Sequence, residues 1–237
     1  MSLMMDKSER LLKIQLHVRY QTVPAALDFR RRIVTSFTDK EITSAQQEKL
    51  DNVSDVIQVV SKKHKKRFRI EAHQTTIVLE DISKKEAENC LLDAVEKIRD
   101  ELGITKVDSI RVRQIFALPA GKDFLSILNL FKKHVLNENN PLVLKASDVG
   151  VPLDFQLEDL FVHTMNGPMS RQQLQNDFLE FEQQDLPDNF IFVDIETRKN
   201  SIVILDRKTT VSFFRQHEEI VTRTITEWQK IIRNNII

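Results

Sequence analysis

The sequence is poor in glycine and cysteine, and these shortages exclude several kinds of site. It contains four glycines among 237 residues, Gly103, Gly121, Gly150 and Gly167. A P-loop and the dinucleotide-binding G-x-G-x-x-G motif both need closely spaced glycines, so neither is present. The single cysteine, Cys90, allows no disulfide within the chain, which predicts a protein of a reducing compartment such as the cytoplasm.

The sequence also lacks an excess of either charge and any long apolar run. Its 35 basic and 35 acidic side chains cancel, so overall charge favours neither nucleic acid nor an anionic membrane as a partner. No apolar run approaches the roughly 20 residues of a membrane span. The first residues lack the apolar stretch of a secretion signal. We therefore predict a cytoplasmic protein with no membrane partner, in which residues 1–10 are disordered or derive from the expression vector.

The clearest local pattern is a helix followed by a strand. Ser83 and Glu86 form an S-x-x-E capping box, which predicts the start of a helix. Apolar residues then recur at steps of three and four as far as Leu102, and Gly103 marks the end of the helix. Because Cys90 lies on this stripe, we expect its thiol to be inaccessible. A strand at 110–118 is predicted by its β-branched and aromatic residues.

Alternation and helical spacing predict the other elements. Strands are expected at 12–20, 56–60, 67–72, 77–79 and 160–165, with a hairpin formed by 190–197 and 201–205. Helices are expected at 24–37 and 123–135 and near the end of the chain. Two segments remain open between helix and strand, Leu142–Leu157 and Gln172–Gln183.

The order of these elements predicts an α+β fold. Each half of the chain consists of a strand, a helix, several antiparallel strands and a long helix. We therefore predict two similar β-α-β(n)-α units, with antiparallel sheets and helices packed on one face. The first unit is expected at 11–108 and the second at 109–237.

This order resembles the duplicated saddle of the TATA-box-binding protein and its fold relatives. It also resembles an uncharacterised, sporadically distributed prokaryotic family of duplicated α+β proteins. The second resemblance is carried by Ile110–Leu118, by Phe192-Val193-Asp194-Ile195 and by the terminal helix. Both resemblances imply an architecture, and neither brings catalytic residues or a cofactor.

A local match at 190–197 suggests a different function. An apolar strand that ends in Asp194-x-Glu196 resembles the first motif of the DEDD 3′–5′ exonucleases, whose carboxylates hold two metal ions. That family places the motif on the first strand of its sheet, whereas only 40 residues follow Thr197 here. The alternative is a structural strand with both acids in water. The six histidines show no metal-ligand spacing, so we predict no cofactor and no metal.

The remaining candidate site is a basic sheet face. Alternation places a set of cations opposite the apolar side of three predicted strands: Lys13, Arg19, Arg67, Arg69, Arg111 and Arg113. If these strands share one sheet, the face suits an anionic partner. The alternative is an ordinary solvated face balanced by nearby acids.

We interpret the protein from its sequence as a non-enzymatic cytoplasmic binding or regulatory protein. Its expected partner is another protein or a small anionic ligand, and the sequence leaves its oligomeric state open. One alternative is a nucleic-acid or anion-binding module that uses the basic face. The other is a metal-dependent nuclease or hydrolase that uses Asp194 and Glu196.

Overall fold

The computed structural model describes residues 9–23, 44–48, 56–120, 123–136 and 140–234, with only the backbone described at 44–48. The strands are β1 (Arg10–Arg19), β2 (Ser44–Glu48), β3 (Val56–Ser61), β4 (Lys66–Ile70), β5 (Gln74–Glu80), β6 (Lys106–Val107), β7 (Ser109–Pro119), β8 (Val151–Leu157), β9 (Leu160–Ser170), β10 (Asn189–Lys199) and β11 (Val203–Ile204). The helices are α1 (Lys84–Leu102), α2 (Phe124–His134), α3 (Pro141–Lys145), α4 (Arg171–Asp177) and α5 (Arg207–Asn234). The helix predicted at 24–37 and most of residues 1–10 lie outside the described residues.

Nine of the described strands form one antiparallel sheet in the order β2-β3-β4-β5-β1-β7-β10-β9-β8. The strand β1 pairs with β5 on one side and with β7 on the other, so strands from both halves of the sequence meet at the centre. A second small sheet joins β6 to β11. The predicted α+β class with a large antiparallel sheet is confirmed, while the division into two similar units stays a prediction.

The main core lies between one face of this sheet and the helices α1, α2 and α5. Alternate residues of the central strands, such as Leu16, Val112 and Val193, are fully buried against the helices. Phe131 of α2 and Trp228 of α5 stack with ring centroids 5.2 Å apart. Burial of this apolar area supplies most of the favourable free energy of folding.

The helix α1 begins and ends as its sequence predicts. Ser83 and Glu86 form the capping box, and Gly103 adopts the left-handed conformation with φ 66°. Leu91 and Ile98 are fully buried, which confirms the apolar stripe. Cys90 is only partly buried and packs against this core, and the accessibility of its thiol stays a prediction.

A smaller core lies on the other face of the sheet, under residues 171–188, which we call the covering segment. Leu174 of α4 and Leu186 pack on apolar side chains that point to this face: Leu12, Ile115, Ala117, Phe190 and Phe192. A register shift between Leu11 and Lys13 places Leu12 in this core. Leu12 therefore packs away from α1, α2 and α5, although alternation with Ile14 and Leu16 would place it on their side.

The structure also assigns the open segments and corrects two boundaries. Leu142–Leu157 contains the short helix α3 and the strand β8, and Gln172–Gln183 contains most of α4. The strand predicted at 160–165 is β9, which continues through Asn166-Gly167-Pro168 to Ser170. The strand β10 continues to Lys199, and Val203 pairs with Val107 of β6, so the hairpin predicted at 190–205 is wrong.

Among the described helices, none combines the length and the apolar character that crossing a membrane requires.

Candidate functional site

The face of the large sheet opposite α1, α2 and α5 is called the open face. It is the face on which the covering segment packs. Register aligns its side chains in rows across neighbouring strands. One row contains Arg69, Thr76, His17, Arg111, Arg198 and Phe161. The next contains Arg67, Val78, Gln15, Arg113, Glu196 and His163. Because Lys13 and Arg19 share the parity of His17, all six predicted basic residues belong to this face.

Three arginines lie near one another in the register of the open face, and we call Arg19, Arg111 and Arg198 the arginine cluster. Arg111 lies directly opposite Arg198 on β10 and opposite His17 on β1. Neighbouring strands are about 4.8 Å apart, so facing cations repel unless an anion lies between them. Within the described residues, the one carboxylate paired with the cluster is Glu196, whose Oε2 lies 3.5 Å from Nη1 of Arg111.

The other two members of the cluster have no described carboxylate partner. Arg19 is exposed at the end of β1, and no ion pair within the described chain involves it. The guanidinium carbon of Arg198 lies 5.0 Å from the centre of the Phe161 ring, which is a cation–π contact. Its buried Nε has no hydrogen-bond partner in the described part of the structure. Neither side chain is paired with a carboxylate within the described residues.

His17 lies in the same row and is neutral at pH 7. Its Nδ1 is 3.0 Å from Oγ1 of Thr76 on the neighbouring strand. Burial, followed by the positive charge of Arg111, lowers the pKa of His17 to about 4. The low pKa is consistent with an environment that disfavours further positive charge.

The remaining predicted cations are already occupied by carboxylates. Lys13 is 7% exposed, so the expectation that it faces water is wrong. Its Nζ donates to the Phe178 carbonyl at 2.9 Å and to Glu180 at 3.3 Å. Arg67 also pairs with Glu180, at 2.7 Å, and Arg69 pairs with Glu71, at 2.8 Å. The contacts of Lys13 and Arg67 attach the covering segment to the sheet, and all of these pairs leave little free charge there.

The Asp194–Glu196 motif lies on the open face, but each acid contacts an arginine. Asp194 is 3% exposed and accepts bonds from Nε of Arg113 at 2.9 Å and from its Nη2 at 2.6 Å. This fork-like geometry is the usual one for an arginine–carboxylate pair. Within the described residues, no group of three or more His, Cys, Asp or Glu side chains has the arrangement of a metal site. The geometry therefore gives the two-metal hydrolase no support.

Comparison with known proteins assigns no family. A scan against protein-family models finds no match to this chain, and a search of curated proteins finds none either. The site must therefore be interpreted from its own geometry.

Arg198 is the member of the cluster that the sequence analysis missed. Residues 198–200 were interpreted as a hairpin turn, so Arg198 was not placed on a strand. The alternation Asp194, Glu196, Arg198 already continued the outward parity of β10 and was the signal available. The sequence offered no comparable signal for the partners of Lys13 and Arg67, because those acids belong to distant segments.

Proposed function

We propose that this protein is a non-enzymatic, cytoplasmic binding protein whose open face binds a phosphate-bearing anion through Arg19, Arg111 and Arg198. The observation that carries the proposal is the direct cross-strand pairing of Arg111 with Arg198, near an exposed Arg19, with Glu196 as the one described carboxylate in contact. An anion between these guanidinium groups would relieve their repulsion and accept several charge-assisted hydrogen bonds.

The ligand chemistry is a phosphate oxygen presented to planar guanidinium groups, which bind such oxygens in pairs. Nucleic acid and soluble polyphosphate both provide it. A strand of nucleic acid would extend along the row towards Phe161, whose ring already contacts Arg198. Backbone contacts of this type make binding strongly dependent on salt.

The test is binding of fluorescent single-stranded DNA, single-stranded RNA and a labelled polyphosphate at two salt concentrations. We expect Arg111→Glu and Arg198→Glu each to weaken binding by about tenfold or more and to reduce the salt dependence by roughly one ion. Arg223→Glu is the matched control, because it makes the same charge change at an exposed position of α5.

The arms of this experiment separate the possible ligands. Binding of polyphosphate alone would identify a small anion, whereas tighter binding of DNA or RNA would identify nucleic acid. Absence of binding to all three at low salt would overturn the proposal. An effect of Arg223→Glu equal to that of Arg111→Glu would also overturn it.

We propose in addition that residues 11–108 and 109–237 are two copies of one unit. The position of β5 beside β1, and of β10 beside β7, supports this proposal. In an experimental structure the two halves should superpose with equivalent strands in the same order. Different connections in the two halves would contradict the duplication.

A further inference from the structure

The strand β8 forms one edge of the large sheet and exposes a row of apolar side chains. Leu153, Phe155 and Leu157 are 53%, 43% and 41% exposed, and all three point to the same face. Within the described residues, β8 pairs with β9 and with no other strand. A long, exposed, apolar edge strand is a template for pairing with another strand. We propose that β8 pairs with β8 of a second copy of this chain, antiparallel and centred on Phe155.

The backbone groups on the outer side of β8 pair with no strand in the described part of the chain. A two-residue turn joins Leu157 to Leu160, so these two residues form the closing hydrogen-bonded pair of the hairpin. Bonding alternates along an antiparallel pair, and the N–H and C=O groups of Asp154 and Gln156 therefore point away from β9. Pro152 belongs to the same outward set, which is where an edge strand tolerates a residue without an N–H.

The sequence of β8 complements itself in one register. Centred on Phe155, the pairing places each Leu153 opposite Leu157 of the second copy and the two Phe155 side chains opposite each other. Asp154 of each copy then lies opposite Gln156 of the other copy, and the two residues exchange backbone hydrogen bonds. This register continues the apolar row of one chain into that of the other.

The neighbouring register, centred on Asp154, is disfavoured for two reasons. It places two carboxylates opposite each other, and like charges at that distance repel. It also places Pro152 opposite Gln156, where the missing N–H of Pro152 removes a hydrogen bond. The Phe155-centred register avoids both costs because Pro152 lies beyond the apolar positions that pair.

The first test is the molar mass of the full chain by light scattering and sedimentation over a range of concentrations. We expect a dimer, which Phe155→Lys converts to a monomer with unchanged circular dichroism. Gln156→Pro should also give a monomer, because it removes an outward N–H without touching the bonds to β9. The control is Ile202→Lys, which makes the same kind of change at an apolar side chain outside β8 that is 73% exposed. This variant should remain a dimer.

Disulfide trapping tests the register. Phe155→Cys should cross-link two copies under mild oxidation, because facing residues in a non-hydrogen-bonded pair have Cα atoms about 4.5 Å apart. Leu157→Cys should not, since its two copies would be about 13 Å apart along the strands. A monomeric wild-type chain, a dimer that survives Phe155→Lys, or stronger cross-linking at Leu157 than at Phe155 would each overturn the proposal.

Discussion

The ion pair between Arg113 and Asp194 sets the stability of the centre of the open face. Arg113→Met leaves the buried Asp194 carboxylate without its cation, and we expect a loss of about 3 kcal/mol, the low end for buried pairs because Arg113 is partly exposed. Urea denaturation measures this loss. The double variant with Asp194→Asn should regain most of it, because it removes the unpaired charge.

The control for this prediction is the surface pair of Arg99 with Asp100. Arg99→Met should cost much less than Arg113→Met, because water screens an exposed pair. If Arg113→Met costs no more than Arg99→Met, the pair contributes no more than a surface contact.

A second prediction at this scale concerns the buried imidazole of His217. Burial, with a smaller contribution from Lys84, lowers the pKa of His217 to about 3, and its Nδ1 lies 2.9 Å from Oγ1 of Thr197. As pH falls below about 6.5, the unfolded chain binds a proton that the folded chain does not bind until about pH 3. The free energy of unfolding therefore falls with pH, by up to about 1.4 kcal/mol per pH unit from this residue.

His217→Asn keeps a hydrogen-bonding group near Thr197 and removes the titration. Between pH 6 and pH 4, its free energy of unfolding should fall less steeply than that of the wild type. Urea denaturation at several pH values measures both slopes. Equal slopes would mean that His217 takes up its proton equally in the folded and unfolded chains.

At the scale of elements, α1 depends on its buried stripe. Leu91 is fully buried beneath the helix, so Leu91→Ala should cost about 2–5 kcal/mol through lost contacts and the cavity left behind. Glu88→Ala, one turn away on the exposed side of α1, should change stability by less than about 0.5 kcal/mol. Thermal and urea denaturation distinguish the two. Similar losses would show that the buried side of α1 is wrongly identified.

The covering segment depends on one buried carboxylate of β5. Both oxygens of Glu80 accept backbone bonds from this segment, from the Glu180 N–H at 2.9 Å and the Phe181 N–H at 3.1 Å. Glu80→Ala should therefore release residues 178–183 and increase their cleavage in limited proteolysis. Glu182 is exposed in the same segment, so the Glu182→Ala variant should be cleaved at the same rate as the wild type. Unchanged cleavage of Glu80→Ala would mean that other contacts hold the segment.

Local signals predicted these elements well, but signals that depend on distant packing did not. The capping box of α1 is contained within four residues, so the sequence specifies it directly. The Asn-Gly-Pro stretch of β9 resembles a turn, yet Gly167 is there because Val149 approaches it closely. A Cβ on Gly167 would lie 2.5 Å from the Val149 carbonyl oxygen. Alternation likewise predicts that 203–204 is extended, but it does not identify β6 as its partner.

At the scale of the whole molecule, the sheet links the two halves of the chain. Because β1 pairs with β7 across the centre, neither half completes its sheet alone. We predict a single cooperative unfolding transition, in which Trp228 fluorescence and far-ultraviolet circular dichroism change together. Two separated transitions would show that the halves unfold independently.

The candidate site was predictable only in part, because its charges depend on contacts between distant segments. Parity placed six cations on one face, but their neutralisation depends on acids from distant segments, such as Glu180 and Asp194. In the folded chain, carboxylates neutralise Lys13, Arg67 and Arg113. Folding also places Arg198 beside Arg111. The sequence identified the face, and only the register of β10 identified the cluster.

The central position of β1 has a consequence for how the protein is made. This strand precedes both of its neighbours in the chain, and β5 and β7 are translated much later than β1. Pairing between such distant segments is slow, and an unpaired apolar strand is prone to aggregation while it waits. Conditions that supply chaperones should therefore raise the yield of native protein. The strand at the centre of the finished sheet is one that waits for both of its neighbours during synthesis.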